Sequence, residues 1–316
     1  MNSKATRGYL GSISVLMFYV PHLQTLDKLY IAKKNIMSKA NLLLLFFSLT
    51  FISYSCKKSE KKEDEKESVI LLKKVNYNYK SPRFNTLGSH LFHYDANGKL
   101  MEVEFHSSEE DLQNHTKSEG ESKVALEYDA NGKLQKSIVT INNKPAYSYN
   151  YHYNSAGHII KKVQTSQDPR YSISDHVYVY DNQGRLVADT TLGLPVGVIF
   201  YYTYSYDAAG NAVTYGAGSR SMMGTIQPES IEGHAKYDNK RNPYSLLDPN
   251  YHVLFNLETI NLFNRNNPIE TQRMGIYVVD QYQNVYLPNG LLKEYTRQVA
   301  LEDMVIKESF EYEEIK

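Results

Sequence analysis

Five carboxylates recur beside tyrosines in this 316-residue chain: Asp95, Asp129, Asp181, Asp207 and Asp238 each follow a Tyr, and after the first four a Gly stands three residues on. Carboxylate oxygens suit Ca²⁺, but calcium needs roughly six to eight oxygens converging on one point. A single acid followed by Gly supplies a turn cap instead. The Asp side chain accepts hydrogen bonds from backbone amides two residues on, and Gly enters the left-handed region without a Cβ clash. His90 and His93 lie beside Asp95, but an extended strand points them to opposite faces, so no shared metal is expected. His152, His158, His176, His234 and His252 are scattered singly and read as surface or hairpin residues. The sequence carries no Gly-x-Ser-x-Gly elbow, no Walker-type loop, no His-Glu-x-x-His helix and no cysteine pair for zinc. No catalytic residue, metal or cofactor is therefore expected.

The elements that position these residues are hairpins. The phrase aromatic, Asp or Asn, two small or polar residues, Gly, polar, aliphatic runs Tyr94 to Leu100 and Tyr128 to Leu134. Weaker copies run Tyr153 to Ile159, Tyr180 to Leu186 and Tyr206 to Ala212, and Tyr286 to Leu292 keeps only the frame. Gly98, Gly132, Gly157, Gly184, Gly210 and Gly290 occupy the turn position that favours positive φ. On either side the residues alternate: Val124, Leu126 and Tyr128 share a face opposite Ala125 and Glu127, as Tyr202, Tyr204 and Tyr206 oppose Thr203 and Ser205. Successive turn tyrosines are 34, 25, 27 and 26 residues apart, room for two strands and a return turn each. The expected architecture is all-β, a long antiparallel meander forming a curved sheet or half-open barrel. A further turn is expected over Tyr237 to Pro243 and another at Asn266-Asn267-Pro268, with a short helix or irregular strand around Leu254, Leu257 and Phe263.

The start of the chain has a different purpose. Leu42 to Ile52 is an apolar run far short of the ~20 residues of a membrane-spanning helix. Lys33, Lys34 and Lys39 precede it, and Ser55 stands just before Cys56, the only cysteine. This layout is that of a secretory signal, and Ser55-Cys56 resembles the bacterial lipobox, with Ser53 where Leu is usual. Cys56 is thus the expected lipidation site; otherwise it is an incidental thiol in the signal. Residues 37–55 suffice as signal peptide, which leaves 1–36 as an extension from a start codon chosen too far upstream. Residues 57–67 hold five Lys and five acids with no apolar side chain, so 56–68 reads as a lipidated Cys and solvated tether. Its acidic Lys62 to Glu65 resembles signals that send some Bacteroidetes lipoproteins to the cell surface; a plain periplasmic spacer is the other reading.

Residues 69–316 are expected to form one β domain, with the repeats over about 90–215. Six of the 35 basic and one of the 35 acidic residues precede Cys56, so the mature part carries 29 and 34, a net charge of about −5. Such a surface repels rather than gathers a nucleic-acid backbone. The chain has 28 Tyr and no Trp, and Tyr147, Tyr149, Tyr151 and Tyr153 recur at every second residue. Tyrosines in strands either form ladders over a thin core or present a stacking face to a ligand. Tyr147, Tyr149, Tyr151, Tyr202 and Tyr204 are the candidates for the second role.

The Tyr-Asp-x-x-Gly-x-Leu phrase resembles the YD repeat of Rhs-type and teneurin proteins, whose repeats wind into a spiral β-shell. The repeats here cover too little of the chain, and lack the core signature that closes such shells, for a toxin-enclosing cage. The closer resemblance is to uncharacterised Bacteroidetes lipoproteins with a porin-like fold, carried by the lipobox, the charged tether, the hairpins, Tyr237 to Tyr244 and Asn266-Asn267-Pro268 in that order. It covers nearly the whole mature chain and implies a curved antiparallel sheet with no established activity. The functional expectation is an envelope lipoprotein of the outer membrane that binds a glycan, peptide or envelope protein, or serves as scaffold. The alternative is an envelope hydrolase with a site assembled from distant acids and His.

Overall fold

The computed structural model describes residues 68–166, 168, 173–194, 198–221, 231–254, 264–272, 278–299 and 303–315. The period-two alternation produces β1 (Val69–Lys80), β2 (Phe84–Tyr94), β3 (Leu100–Asp111), β4 (Thr116–Tyr128), β5 (Leu134–Ile141), β6 (Lys144–Tyr153), β7 (Ile159–Thr165) and β8 (Ile173–Tyr180). It continues through β9 (Leu186–Leu194), β10 (Val198–Tyr206), β11 (Ala212–Ser221), β12 (Ile231–Arg241), β13 (Asn266–Gln272), β14 (Val279–Tyr286), β15 (Leu292–Val299) and β16 (Met304–Ile315). Each strand pairs antiparallel with its sequence neighbours, and β1 pairs with β16, so the meander closes into a barrel. The closing ladder, from Val69 opposite Ile315 to Lys80 opposite Val305, removes both free edges that an open sheet would expose.

Each of the six glycines holds φ between 76° and 88°. Immediately after every one of these turns the register slips by a residue. Tyr94 pairs with Leu100 but His93 with Glu102, so Met101 is an extra residue; Gln135, Ile160, Val187, Val213 and Lys293 bulge in the same place. A bulge turns the strand over by one position. It aims Val103, Lys162, Asp189 and Tyr295 inward, and the residues just before them outward. Placing Val at Gly132, where φ is 78°, is expected to cost at least about 1 kcal/mol, because a β-branched residue suits positive φ poorly. A denaturant midpoint equal to wild type would show that no such constraint acts there.

The inward faces meet in one continuous cluster that takes in Leu72, Val75, Phe92, Val103, Leu126, Tyr151, Tyr178, Tyr204, Tyr282, Tyr295 and Phe310. The outer face is mixed: Leu87, Ile160, Val177, Val179, Val285 and Val305 are exposed on it among polar and charged residues. Cross-strand ion pairs stand on it at Glu104–Lys123 (2.7 Å), Lys161–Asp175 (3.3 Å), Lys236–Glu270 (2.8 Å) and Lys307–Glu294 (3.4 Å).

Two local expectations change, and a third, the short helix at Leu254, is met in part. Tyr237 to Arg241 do not turn but extend β12, and the chain leaves it at Asn242, whose side chain caps the 3₁₀ turn Pro243–Leu246 with Pro at its first position. Asn266-Asn267-Pro268 opens β13 rather than turning, because the Asn267 side-chain amide donates to the carbonyls of Lys240 and Arg241 and pins that edge to β12. Pro249–Leu254 is a second 3₁₀ turn, while Leu257 and Phe263 lie outside the described residues.

Candidate functional site

Because hairpins alternate ends, the six glycine turns all lie at one rim of the barrel, where the chain also enters at Val69 and leaves at Ile315. In the first turn Asp95 Oδ1 accepts from the amides of Asn97 and Lys99, both at 2.9 Å. Asp129 and Asp181 make the same pair of bonds, and Asp207 accepts from the amide of Asn211. These amide bonds, Lys99 first, hold the Asp95 carboxyl below its ordinary pKa. The carboxylates are engaged one turn at a time and do not converge.

The tyrosines tie each turn to the one before it. Tyr128 donates to the Leu100 carbonyl, Tyr153 to Leu134 (2.7 Å), Tyr180 to Ile159 (2.8 Å) and Tyr206 to Leu186 (2.6 Å). Each acceptor is the aliphatic residue that closes the preceding turn, next to the bulge. The residue after Gly covers the ring from above. Lys99 Nζ stands 3.6 Å over Tyr128, Lys133 Nζ 5.4 Å over Tyr153, and the Arg185 guanidinium 4.8 Å over Tyr206, while His158 stacks on Tyr180 at 4.8 Å.

The connection from β12 to β13 crosses this rim. Tyr251 meets the Tyr128 hydroxyl at 2.7 Å, Asn250 Oδ1 accepts from the Ile159 amide at 3.4 Å, and Tyr244 lies edge-on to Phe310 at 6.0 Å. Between the connection and the first three turns lies a cavity of about 360 Å³, lined by Lys99, Lys133, Tyr128, Tyr153, Asp248, Asn250 and Tyr251 among others. Burial, with help from Asp248 and Asp129, pushes the Tyr153 phenol up to about 12, so it stays a protonated donor. Aromatic edges, two ammonium groups, a carboxylate and amides around one small space suit the stacking and hydrogen bonding of a polar ring or peptide unit.

The five tyrosines singled out from the sequence point into the barrel. Tyr151 and Tyr204 are buried, and Tyr151 shares a 2.7 Å hydrogen bond with Ser137. Tyr147 and Tyr149 pack edge to face at 5.5 Å, and Lys162 Nζ lies 4.4 Å over the Tyr149 ring. Tyr202 and Tyr204 pair across the ladder with Ala217 and Tyr215.

The barrel interior also holds charge that sequence reasoning missed. Burial pulls Lys162 down to about 8, against the opposing field of Asp189. His176 Nδ1 lies 3.4 Å from Asp189 and 3.0 Å from the Thr191 hydroxyl, and burial lowers its pKa. Further round, Arg297 donates twice to Asp280 Oδ2, at 2.6 and 3.1 Å, and Tyr79 donates to Glu308 at 3.2 Å. Burial raises the Glu308 pKa, against hydrogen bonds from Tyr295 and Tyr79.

His90 faces inward between Tyr77 and Phe105, its pKa pulled down to about 4 by burial, whereas His93 faces out. No ligand set was legible in the sequence. Among the described residues, however, the bulge at Met101 brings Glu102 and Glu104 to the outer face beside His93, with one ligand atom from each of the three within 4.8 Å of the others.

No protein family matches the chain, and no curated protein does. Among solved structures it is similar to a porin-like protein from Bacteroides uniformis, with a TM-score of 0.50 and 11% identity over 77% of this chain and 96% of that one. The two share a fold. A porin-like protein from Bacteroides vulgatus aligns with a TM-score of 0.35 and 10% identity, over 77% of this chain and 98% of that one. An alignment to the TcdB2-TccC3-Cdc42 structure reaches a TM-score of 0.30 and 13% identity, over 72% of this chain and 15% of that one. Porin-like describes the closed antiparallel barrel, not the lining: this chain turns tyrosines and aliphatics inward together with the Arg297–Asp280 and His176–Asp189 pairs, and sets other ion pairs on the outer face.

Proposed function

We propose that this chain is a lipid-anchored envelope protein whose barrel stands in water and binds a ligand without transforming it. The observation that carries the reading is the distribution of side chains between the two faces. A membrane-spanning barrel turns a continuous apolar band outward and keeps polar residues inside. Here charged pairs interrupt the apolar residues of the outer face, and the interior, though it holds a few paired charges, is packed with tyrosines and aliphatics, which supports a water-exposed scaffold rather than an open pore. The inward acids support binding over catalysis, since Asp189, Asp280 and Glu308 are engaged by His176, Arg297 and Tyr79. A lipid on Cys56 would join the membrane to the rim at which β1 begins, beside the cavity under Tyr251. Its occupant would be a saccharide or a short peptide of the envelope.

Two measurements test this. In a bacterial host that acylates lipoproteins, Cys56→Ala is expected to release the protein from the membrane pellet or leave it unprocessed, because stable anchoring takes more than one acyl chain. Unchanged processing and retention would refute the anchor. The barrel, residues 69–316, whose ladder closes on itself, is expected to bind members of a glycan and peptide array. Lys133→Ala and Tyr251→Phe should each weaken that binding, since both side chains line the cavity. Reproducible turnover abolished by changing a single Asp or Glu would establish the hydrolase instead.

A further inference from the structure

We propose that His93, Glu102 and Glu104 form a zinc site on the outer face of the β2–β3 hairpin. The ladder sets the residues: His93 pairs directly with Glu102, and Glu104 follows two residues along the same face of β3. His93 Nε2 lies 3.7 Å from Glu104 Oε1, and one donor atom from each of the three residues falls within 4.8 Å of the others. Zinc bonds of about 2.0–2.2 Å place tetrahedral donors roughly 3.3–3.5 Å apart, so side-chain rotations alone converge this set. The backbone that carries it is rigid, being paired on both sides of β3.

Charge and neighbours favour a dication. Lys73 and Lys74 stand with Glu313 on the far side of His93, and Lys123 Nζ holds Glu104 Oε1 at 2.7 Å, so the two carboxylates of the site are the anionic groups the cation would meet. On the other side His106 Nε2 stands 3.3 Å from Glu104 Oε2 and positions that carboxylate. His93 is the most exposed of the three proposed ligands, which leaves the fourth coordination position to water. An imidazole with carboxylates selects zinc or its close relatives over Mg²⁺ and Ca²⁺, which prefer all-oxygen shells. Lys123 is then the competitor that the metal must displace from Glu104.

The test uses the untagged barrel, residues 69–316, titrated with Zn²⁺ by calorimetry and with Co²⁺ by visible absorption. One equivalent of Zn²⁺ is expected to bind and raise the melting temperature, and Co²⁺ to show the intense bands of a four-coordinate site. His93→Ala and Glu102→Gln should each weaken Zn²⁺ binding at least tenfold. Lys123→Met should tighten it severalfold, a gain that loss of a merely structural ion pair would not produce. Circular dichroism establishes that each variant is folded, and all three changes lie on the outer face. Absence of binding at 0.1 mM Zn²⁺, retention of wild-type affinity in folded Glu102→Gln, or equal affinity for Ca²⁺ would each overturn the proposal.

Discussion

Arg297→Met is expected to lower the stability of the barrel by about 3–5 kcal/mol, because it strips the buried Asp280 carboxylate of its guanidinium. The Asp280 side chain is 1% exposed, and both Arg297 bonds fall on Oδ2, at 2.6 and 3.1 Å. A charge left in that position keeps its desolvation penalty and loses two charge-assisted hydrogen bonds from the guanidinium. Methionine matches the length of the arginine stem and still packs near the Tyr282 ring, so the loss measured is mainly that of the charge. For a domain of this size the melting temperature should fall by roughly 10 °C. The double variant Arg297→Met with Asp280→Asn should recover most of the loss, since neither charge then remains buried. Denaturant unfolding of the three variants checks this; a single variant within about 1 kcal/mol of wild type would mean that the pair contributes little to stability.

The second large effect is expected at Gly88. Tyr77 pairs with Gly88 across β1 and β2 and lays its ring over the glycine, reaching past it to donate to the His106 carbonyl at 3.3 Å. A methyl group at Gly88 would overlap both the ring and that carbonyl oxygen. The same device recurs opposite: Tyr215 lies over Gly233 and donates to the Gln272 carbonyl at 2.6 Å, and a methyl there would stand 2.7 Å from that oxygen. Overpacking costs about 1–3 kcal/mol and the displaced hydrogen bond about 1 more, partly offset by the lower unfolded-state entropy of alanine. Gly88→Ala should therefore destabilise by about 2–3 kcal/mol. Adding Tyr77→Leu, which removes the obstructing ring, should make the double variant's loss clearly smaller than the sum of the two single losses. Strict additivity would separate the two residues.

Both effects arise where the hairpin rules no longer suffice. The turns were legible because Asp and Gly act within five residues: an Asp side chain reaches its own loop's amides, and a glycine's φ is a local quantity. The frame Tyr286 to Leu292, which lacks the Asp, still forms the turn because Gly290 and the backbone bonds of Leu287 with Gly290 and Leu291 carry it. The all-β antiparallel order followed from that repetition and from strands that alternate. In the same way, the opposite faces of His90 and His93 followed from strand geometry.

Alternation read from a turn outward, however, gives the wrong face for every residue beyond the bulge in the following strand. Counting by twos from Ile159 places Lys161 inside, and from Leu292 places Glu294 inside; the bulges exchange them for Lys162 and Tyr295. Asp189 enters the core, and Glu102 and Glu104 come beside His93, through the same slip. A bulge is set by how two strands share a ladder, not by the residues of one. Tyr237 to Pro243 misled for a related reason: a turn-like composition is overruled when Asn267, 26 residues beyond Arg241, holds that stretch in a strand. By itself, the sequence determined the fold class and the turn chemistry, since both depend on interactions between near neighbours. Only the tertiary structure decided closure, which side chains face the core, and the cavity under Tyr251, because each depends on residues brought together across the ladder from distant parts of the chain.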